Sequence, residues 1–358
     1  MTFAIAAAGT GGHVYPGLAV AEALVDAGVR RDSVVFLGGD RMEASAIPAA
    51  GFEFVQLELR GLSRRLAVSN LTLPIVLWRA MRAASSLLEQ RSVCAVLGMG
   101  GYVTVPVGYA ARRMNIRLVL HEQNAHAGLA NRLAARWADR VFLSFPQTTL
   151  LTGDVVGNPL RSQFTAFDAT SLRTEAFDHY HLDPLVQTIG VVGGSLGAGA
   201  LNGAIELLAT DWTGARLQIV HLAGSIHEDT TRSTFDASTV TRRIVGFEDR
   251  MDLFYAACDV VVTRAGGSLF EVAATGTPAI VVPGAFGGGH QSDNAAAMAA
   301  VGAAIVLPES ELPTLATVIT DLLASDARRT RMAEAARAAA SPDSAQVVAT
   351  AMMDLANA

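Results

Sequence analysis

The chain has 358 residues, of which 51% are hydrophobic, and its formal net charge is −6 at pH 7. This length exceeds what one compact core usually serves, so we expect about two domains. Lysine is absent and all 27 basic residues are arginine, which excludes a P-loop lysine, a Schiff-base lysine and a lysine general base.

The charges are unevenly divided along the chain. Residues 1–160 carry 15 arginines against 11 acidic residues, whereas the remainder carries 12 against 22. The acidic total argues against a nucleic-acid partner, while the basic first part suits phosphates or an anionic membrane. The apolar stretches are far shorter than the ~20 residues that a membrane-spanning helix needs.

Short apolar runs alternate with alanine-rich stretches, a pattern typical of βα units around a parallel sheet with helices on both faces. In the first half the predicted strands are 3–8, 34–38, 54–57, 93–97, 117–120, 140–143 and 155–156, with helices over 16–27, 71–89 and 127–138. In the second half the predicted strands are 188–192, 218–222, 242–245, 260–263 and 280–282, with helices starting near 198, 248, 268 and 291. The turn at 157–159 and the polar segment 161–183 predict a linker between two doubly wound domains.

Three glycine clusters follow predicted strands, at 9–12, 98–101 and 193–197. A glycine-rich turn that leads into a helix presents backbone N–H groups and the positive end of the helix dipole, which suits a phosphate or diphosphate. None of the three clusters matches G-x-G-x-x-G, which disfavours a nicotinamide dehydrogenase. The alternative is that the glycines only permit tight turns.

His13 ends the first cluster, just before the helix expected near Pro16. A helix N-terminus disfavours the imidazolium, so the sequence predicts a neutral histidine suited to accepting a proton. A core or capping histidine is the alternative reading.

A second group of polar residues lies in the other half of the chain, where Arg264 precedes Glu271 and His290 and Gln291 precede Asn294. Glu271 could accept the paired hydroxyls of a ribose, and His290 and Gln291 could bond sugar hydroxyls; favourable helix-start positions and ordinary capping are the alternatives. No metal site is expected, because no Asp-x-Asp pair occurs and the His179 and His181 pair lacks a third ligand in sequence.

Five motifs together resemble the MurG family of bacterial N-acetylglucosaminyltransferases: G-T-G-G-H-V-Y-P at 9–16, G-M-G-G-Y at 98–102, H-E-Q-N at 121–124, V-G-N-P-L-R at 156–161 and G-G-S at 193–195. The resemblance implies an α/β protein of the GT-B fold, with two Rossmann-like parallel-sheet domains facing a cleft and a last helix, about 342–357, crossing back to the first domain. It also implies inverting transfer of N-acetylglucosamine from UDP-GlcNAc to the C4 hydroxyl of the MurNAc-pentapeptide of undecaprenyl-diphosphate lipid I, giving lipid II without a cofactor or an essential metal.

The same resemblance assigns residues 1–160, with about 342–358, to the acceptor and the membrane, and residues 161–341 to the UDP-sugar donor. The implied donor contacts are Thr10, Gly11, Gly12, Asn124, Arg161, Ser195, Phe247, Glu248, Glu271 and Gln291. The implied contacts to the acceptor diphosphate are Gly11, Gly12, Gly100, Gly101 and Tyr102, with His13 as the catalytic base. Three positions depart from the family pattern: Leu196 replaces a common glutamine, the spacing from Arg264 to Glu271 is one residue shorter, and His290 replaces a glutamine of some members.

A basic-rimmed apolar segment precedes and begins the predicted helix 71–89. Its members are Arg64, Arg65, Leu71, Ile75, Trp78 and Arg79. Such a segment suits the interface of an anionic inner leaflet, so we expect a peripheral protein at the cytoplasmic face of the bacterial cell membrane. The alternative is that Ile75 and Trp78 pack against the sheet.

Three other functions stay open from the sequence. One is a GT-B UDP-sugar transferase that acts on a different glycolipid. A UDP-N-acetylglucosamine 2-epimerase shares such a fold and needs no acceptor, and a sugar-nucleotide-binding subunit would bind UDP without turnover.

Overall fold

The computed structural model describes residues 1–59, 73–194, 197–224, 240–284 and 289–358. The chain divides into two compact units. The first unit is Met1–Ser162 together with Ser341–Ala358, and the second is Gln163–Ala340. Among the helices of the described residues, none has the length and apolarity that crossing a membrane requires.

The first unit contains a parallel sheet of seven strands. They are β1 (Thr2–Ala6), β2 (Val34–Gly38), β3 (Glu53–Gln56), β4 (Val93–Gly98), β5 (Arg117–Glu122), β6 (Arg140–Leu143) and β7 (Asp154–Val155). Their order in the sheet is β3-β2-β1-β4-β5-β6-β7. The strand order reverses between β1 and β4, and ligands of such sheets bind beyond the carboxyl ends of the strands at this point.

The described helices on the two faces of this sheet are α1 (Gly11–Asp26), α2 (Glu43–Ala49), α3 (Leu73–Gln90), α4 (Thr104–Arg113), α5 (Leu129–Ala134) and, numbered last in the chain, α13 (Ser344–Asn357). Because neighbouring side chains of a strand point to opposite faces, β1 contributes side chains to two hydrophobic cores, one on each face of the sheet. Phe3 and Ile5 pack with α1 and α13, and Ala4 and Ala6 pack with α3 and α4. The C-terminal helix therefore returns to the first unit.

The second unit contains a parallel sheet of six strands. They are β8 (Gln187–Val192), β9 (Leu217–Leu222), β10 (Val240–Val245), β11 (Val260–Thr263), β12 (Ala279–Val281) and β13 (Ala304–Val306), in the order β10-β9-β8-β11-β12-β13. The described helices are α6 (Ala169–Tyr180), α7 (Gly199–Asp211), α8 (Met251–Ala257), α9 (Ser268–Thr275), α10 (His290–Ala300), α11 (Leu315–Leu323) and α12 (Asp326–Ala338). This sheet reverses its order between β8 and β11, which again marks the expected ligand edge.

The predicted α/β class is confirmed, and every predicted strand is present with ends shifted by at most two residues. The expected linker over 161–183 is wrong for most of its length, because α6 fills it. Asp168 caps that helix by accepting the N–H of Thr170 at 2.9 Å, and His181 ends it in a left-handed conformation. The first helix begins at Gly11 rather than near Pro16, since the carbonyl of Thr10 accepts the N–H groups of His13 and Val14.

Candidate active site

The first glycine loop connects β1 to α1 and places His13 in the first turn of the helix. The His13 Nδ1 atom lies 3.2 Å from the hydroxyl oxygen of Thr10. If His13 is to accept a proton at Nε2, its Nδ1 must carry the ring proton, and the Thr10 hydroxyl can accept the resulting hydrogen bond.

The second glycine loop follows β4, the neighbour of β1 in the sheet, so the two loops meet at the reversal point. Gly100 and Gly101 have φ values of +94° and +75°. The Thr104 hydroxyl closes this loop by accepting the N–H of Gly100 at 3.0 Å and donating to its carbonyl at 2.8 Å. A Cβ on Gly100 would lie 2.9 Å from Cδ2 and 3.0 Å from Nε2 of His13, so the imidazole packs directly on this loop.

A buried carboxylate that sequence reasoning missed lies behind both loops. Glu43 begins α2 and has no exposed surface. Its two oxygens accept the N–H groups of Gly9 at 3.2 Å and Gly39 at 3.0 Å. Burial raises the pKa of Tyr102, and the negative charge of the nearby Glu43 carboxylate raises that pKa further. No motif marks Glu43, because a single acidic residue after a strand has no recognisable pattern.

A second buried carboxylate orients Asn124. The Glu122 Oε1 atom accepts the backbone N–H and the side-chain amide of Asn124, both at 3.0 Å. The other oxygen accepts the N–H of Gly128 at 3.0 Å and the Asn131 amide at 2.9 Å. Asn124 is therefore held in one orientation by a residue of its own motif to which the sequence analysis gave no role.

His121, in the same motif, is structural. Its ring is fully buried, and its Nε2 donates to the carbonyl of Gly157 at 2.9 Å while its Nδ1 accepts from Gln123 at 3.1 Å. Burial lowers the pKa of His121 to about 4. Ser344 of α13 donates to the same Gly157 carbonyl at 2.9 Å, so β5, the turn at Gly157 and the returning helix are tied together.

Arg161 lies in the first unit. Its guanidinium lies over the ring of Tyr15, 5.2 Å from the centroid. A Cβ on Gly11 would contact that same ring at 3.2 Å. Arg161 is thus brought next to the first glycine loop, which places a cation beside the N-terminus of α1.

In the second unit the ligand edge is formed by the loops after β8 and β11. Gly194 and Gly197 both have positive φ values, as the tight turn into α7 requires. Ser195 and Leu196, between them, lie outside the described residues. After β11, the buried Arg264 donates to the carbonyl of Val282 at 3.1 Å and pairs with Glu309, so its role is to join the loops that surround the edge.

Glu271 and Gln291 occupy the first turns of α9 and α10. Glu271 Oε2 accepts the hydroxyl proton of Tyr255 at 2.9 Å. Gln291 Oε1 accepts the N–H of Gly284 at 2.8 Å. The amide nitrogen of Gln291 is therefore the atom expected to contact a sugar hydroxyl. Asn294 donates to the carbonyl of Ala265 at 3.1 Å, which links α10 to the β11 loop. His290 is partly exposed at the same helix start.

The turn after β10 presents Phe247, which is 48% exposed, and Glu248. The Glu248 side chain points inward, where it accepts from the Tyr180 hydroxyl at 2.7 Å and from the Arg250 N–H at 2.8 Å. His179 Nε2 lies 3.3 Å from the same carboxylate. The backbone of this turn is therefore braced by α6, and any contact of Glu248 with a base is left to its main chain.

The described part of the proposed membrane segment is exposed. Ile75 and Trp78, on the first turns of α3, are 56% and 55% exposed. Arg79 is exposed, and the Arg82 guanidinium lies over the Trp78 ring. Arg64, Arg65 and Leu71 lie outside the described residues. Ile75 and Trp78 are thus not core residues of the sheet.

Within the described residues, no three His, Cys, Asp or Glu side chains come together as a metal site would need. The His179 and His181 pair forms no such group, and His179 instead contacts Glu248.

Comparison with known proteins identifies the family. Residues 3–143 match the glycosyltransferase family 28 N-terminal domain, and residues 188–348 match its C-terminal domain. The chain is 39% identical over 355 residues to the UDP-N-acetylglucosamine–N-acetylmuramyl-(pentapeptide) pyrophosphoryl-undecaprenol N-acetylglucosamine transferase of Halorhodospira halophila, covering 98% of this chain and 97% of that one. It is 36% identical to the protein of the same name from Mycobacterium ulcerans, covering 99% and 92% of the two chains.

Solved structures agree. The crystal structure of Acinetobacter baumannii MurG matches with a TM-score of 0.76 at 30% identity, covering 99% of each chain. A UDP-GlcNAc 2-epimerase from Neisseria meningitidis matches with a TM-score of 0.68 at 13% identity, covering 99% of this chain and all of that one, which shows a shared fold only. The chain therefore belongs to glycosyltransferase family 28 and, within it, to the MurG family of N-acetylglucosaminyltransferases.

Proposed function

We propose that this protein transfers N-acetylglucosamine from UDP-GlcNAc to the C4 hydroxyl of the MurNAc-pentapeptide of undecaprenyl-diphosphate lipid I, with inversion at the anomeric carbon, forming lipid II. The observation that carries the proposal is that the chain is 39% identical, over nearly its full length, to a transferase named for this donor and acceptor. The meeting of His13 with the two glycine loops supports it, because a base and anion-binding loops are what an acceptor with a hydroxyl and a diphosphate requires.

In the proposed reaction a bond forms between the acceptor O4 atom and the anomeric carbon, while the bond from that carbon to the UDP oxygen breaks. The O4 proton passes to His13 Nε2, and the bonding electrons leave with UDP. Negative charge therefore develops on the diphosphate, where a helix N-terminus and Arg161 stabilise it. In this step the Thr10 hydroxyl accepts a hydrogen bond from the proton on His13 Nδ1, so the imidazolium that forms keeps a hydrogen-bond partner.

We assign the acceptor to residues 1–160 with about 342–358. The N–H groups of Gly11 and Gly12 begin a helix and lack intrahelical partners by their position, so they and the loop of Gly100, Gly101 and Tyr102 would hold the acceptor diphosphate. We also assign Thr10, Gly11, Gly12 and Asn124 to contacts with the donor.

We assign the UDP-sugar to residues 161–341, with Arg161 at the boundary. Glu271 would accept the ribose hydroxyls, Gln291 would bond the sugar, Ser195 would meet the diphosphate, and the backbone of Phe247 and Glu248 would read uracil. The bracing of Glu248 by Tyr180 supports a backbone role for this turn, because a rigid main chain can present its N–H and C=O groups in one arrangement.

We further propose that the protein works peripherally at the cytoplasmic face of the cell membrane, docked through Arg64, Arg65, Leu71, Ile75, Trp78 and Arg79. The exposure of Ile75 and Trp78 supports this, since apolar side chains rimmed by arginine suit an anionic interface. An undecaprenyl acceptor also stays in the bilayer, so the enzyme must come to it.

The test is to mix the protein with UDP-GlcNAc and a lipid I analogue, with and without a chelator, and to measure UDP release and the disaccharide product by mass spectrometry. We expect a β-linked disaccharide and equal rates in the two arms. Turnover with diacylglycerol instead of lipid I would indicate a different glycolipid transferase. Release of an epimerised UDP-sugar without an acceptor would indicate an epimerase, and UDP binding without any turnover would indicate a binding subunit.

A further inference from the structure

The Glu43 carboxylate is completely buried, and no role in the proposed reaction has yet been given to it. It has no exposed surface, so it does not line a surface that a bound sugar would contact. Its oxygens instead accept the N–H groups of Gly9 and Gly39, in the turns after β1 and β2, and its charge acts on Tyr102, in the turn after β4. These three strands are neighbours in the sheet.

We propose that Glu43 is a positioning residue for the acceptor site, which rests on the proposed function: its carboxylate, the amides of Gly9 and Gly39 and the Tyr102 hydroxyl form a clasp that holds the two glycine loops in their anion-binding arrangement. A carboxylate suits this place because both of its oxygens accept and it donates nothing. Hydrogen bonds to a buried charged group are stronger than neutral ones, so the clasp holds three loops with one side chain.

The clasp also determines which groups remain available to a ligand. The N–H of Gly9 points back at Glu43 at 3.2 Å, so in the first loop the anion is left to Gly11 and Gly12. The Tyr102 hydroxyl and the Glu43 carboxylate both lie next to Gly39, and in the proposed clasp the hydroxyl donates its one proton to that carboxylate. The side chain of Tyr102 therefore cannot donate to a diphosphate at the same time, and its contribution to the acceptor site is through the loop that it anchors.

The fit around the clasp is close. A Cβ on Gly39 would collide with the Tyr102 hydroxyl, so only glycine lets the tyrosine cross the β2 turn and reach the carboxylate. Tyr102 is next to Gly101, which follows the Gly100 backbone that supports His13. If the clasp is loosened, the Gly100 backbone that contacts His13 should therefore move together with the loops proposed to bind the diphosphate.

The test compares Glu43→Gln, Tyr102→Phe and the double variant with the parent protein. Glutamine keeps the shape but has one acceptor oxygen, and its NH2 group would oppose a glycine N–H. We expect Glu43→Gln to raise KM for a lipid I analogue by about 10-fold or more, the effect of losing one charge-assisted hydrogen bond. KM for UDP-GlcNAc should rise by a smaller factor, because most of the residues assigned to the donor lie in the second unit. Amide hydrogen exchange at Gly9 and Gly39 should become faster by a similar factor.

The double variant distinguishes the clasp from a direct contact of Tyr102 with substrate. If Tyr102 acts through Glu43, adding Tyr102→Phe to Glu43→Gln changes KM for the acceptor by less than about twofold, because coupled residues are not additive. Additive losses, an equal rise in both KM values, or unchanged exchange at Gly9 and Gly39 would each overturn the proposal. Glu22→Gln is the control, since Glu22 pairs with Arg31 on the exposed side of the same unit and should leave both KM values unchanged.

The test of the clasp still gives an answer if Glu43→Gln does not fold or if the parent protein does not use lipid I. If Glu43→Gln does not fold, Tyr102→Phe carries the test alone, with faster exchange at Gly39 expected and unchanged exchange counting against the clasp. If the parent protein does not use lipid I, the proposed function fails, whereas the exchange measurement still decides whether Glu43 holds the loops.

Discussion

The imidazole of His13 packs on the backbone of Gly100, so the proposed base of one loop is supported by the main chain of the next. Gly100 has a φ of +94°, and an added Cβ would lie 2.9 Å from the His13 ring. Gly100→Ala should therefore displace the imidazole and impose a left-handed conformation that costs an L-residue about 1–2 kcal/mol. We expect turnover to fall by about tenfold or more, with UDP affinity unchanged by calorimetry.

Gly203→Ala is the matched control for that variant. Gly203 lies within α7, and nothing lies within 4 Å of its potential Cβ. Alanine there should raise the free energy of unfolding by about 0.5–1 kcal/mol without changing turnover. Equal effects of the two substitutions on turnover would show that the His13 and Gly100 contact has no part in the reaction.

His13→Ala tests the base directly. General-base catalysis typically supplies 10²–10⁴-fold, so turnover should fall by at least ~10²-fold while UDP affinity stays nearly intact. Thr10→Val should have a smaller effect, about tenfold, because it removes the hydroxyl that contacts Nδ1 at 3.2 Å and orients the ring. Steady-state kinetics on a lipid I analogue measure both, and near-normal turnover of His13→Ala would assign the proton to another acceptor.

The second unit offers a parallel test on the nucleotide. Glu271→Ala should weaken UDP-GlcNAc by about 1–3 kcal/mol through loss of charge-assisted hydrogen bonds. Tyr255→Phe should give a smaller loss, because Tyr255 donates to Glu271 at 2.9 Å and orients it. Glu334→Ala is the control, because Glu334 is an exposed residue of α12. Calorimetry measures the UDP-GlcNAc affinity of all three variants. Unchanged affinity in a folded Glu271→Ala variant would remove Glu271 from the site.

The pH dependence of stability follows from the buried histidines. Burial lowers the pKa of His121 to about 4 and, together with the neighbouring Arg242, lowers the pKa of His221 to about 3. An unfolded histidine titrates near 6.5, so below that pH the unfolded chain binds more protons and the folded state loses stability. Each histidine should therefore leave the free energy of unfolding nearly unchanged above about pH 6.5. Between pH 7 and pH 5 each should lower that free energy by about 2 kcal/mol.

Denaturant titration at pH 7 and pH 5 measures that loss, and His121→Gln gives the comparison. The variant loses the hydrogen bond to Gly157 at both pH values, so its stability is lower throughout. The informative quantity is the difference between the two pH values, which should shrink by about 2 kcal/mol for the unit that contains residue 121. An unchanged difference would mean that His121 is not the titrating group.

The fold was predictable because its strands are short, buried apolar runs between glycine turns, as in β1 and β11. The site was predictable where glycines or a histidine mark a strand-to-helix junction, as at His13. It was not predictable where a single polar residue acts through distant partners: Glu43 reaches three turns, and Tyr255 meets Glu271 from another helix. The segment 161–183 was mistaken for a linker because α6 has a largely polar sequence, in which Ala176, Phe177 and Tyr180 are the buried residues.

The exposed start of α3 yields a prediction about the membrane. Ile75 and Trp78 are more than half exposed and lie near Arg79 and Arg82, while Arg64 and Arg65 precede them in the sequence. Each arginine near an anionic surface adds about 1 kcal/mol of attraction, and the apolar side chains gain by entering the headgroup region. Flotation with anionic vesicles should therefore show binding that decreases with salt, decreases for Arg64/Arg65→Glu and decreases for Ile75/Trp78→Ser, with weak binding to neutral vesicles.

Leu185→Ser is the control, because Leu185 is 94% exposed in the second unit and has no role in the proposed patch, so its loss should leave flotation unchanged. If charge reversal does not reduce binding, or if the parent protein does not float with anionic vesicles, the patch is not the membrane contact.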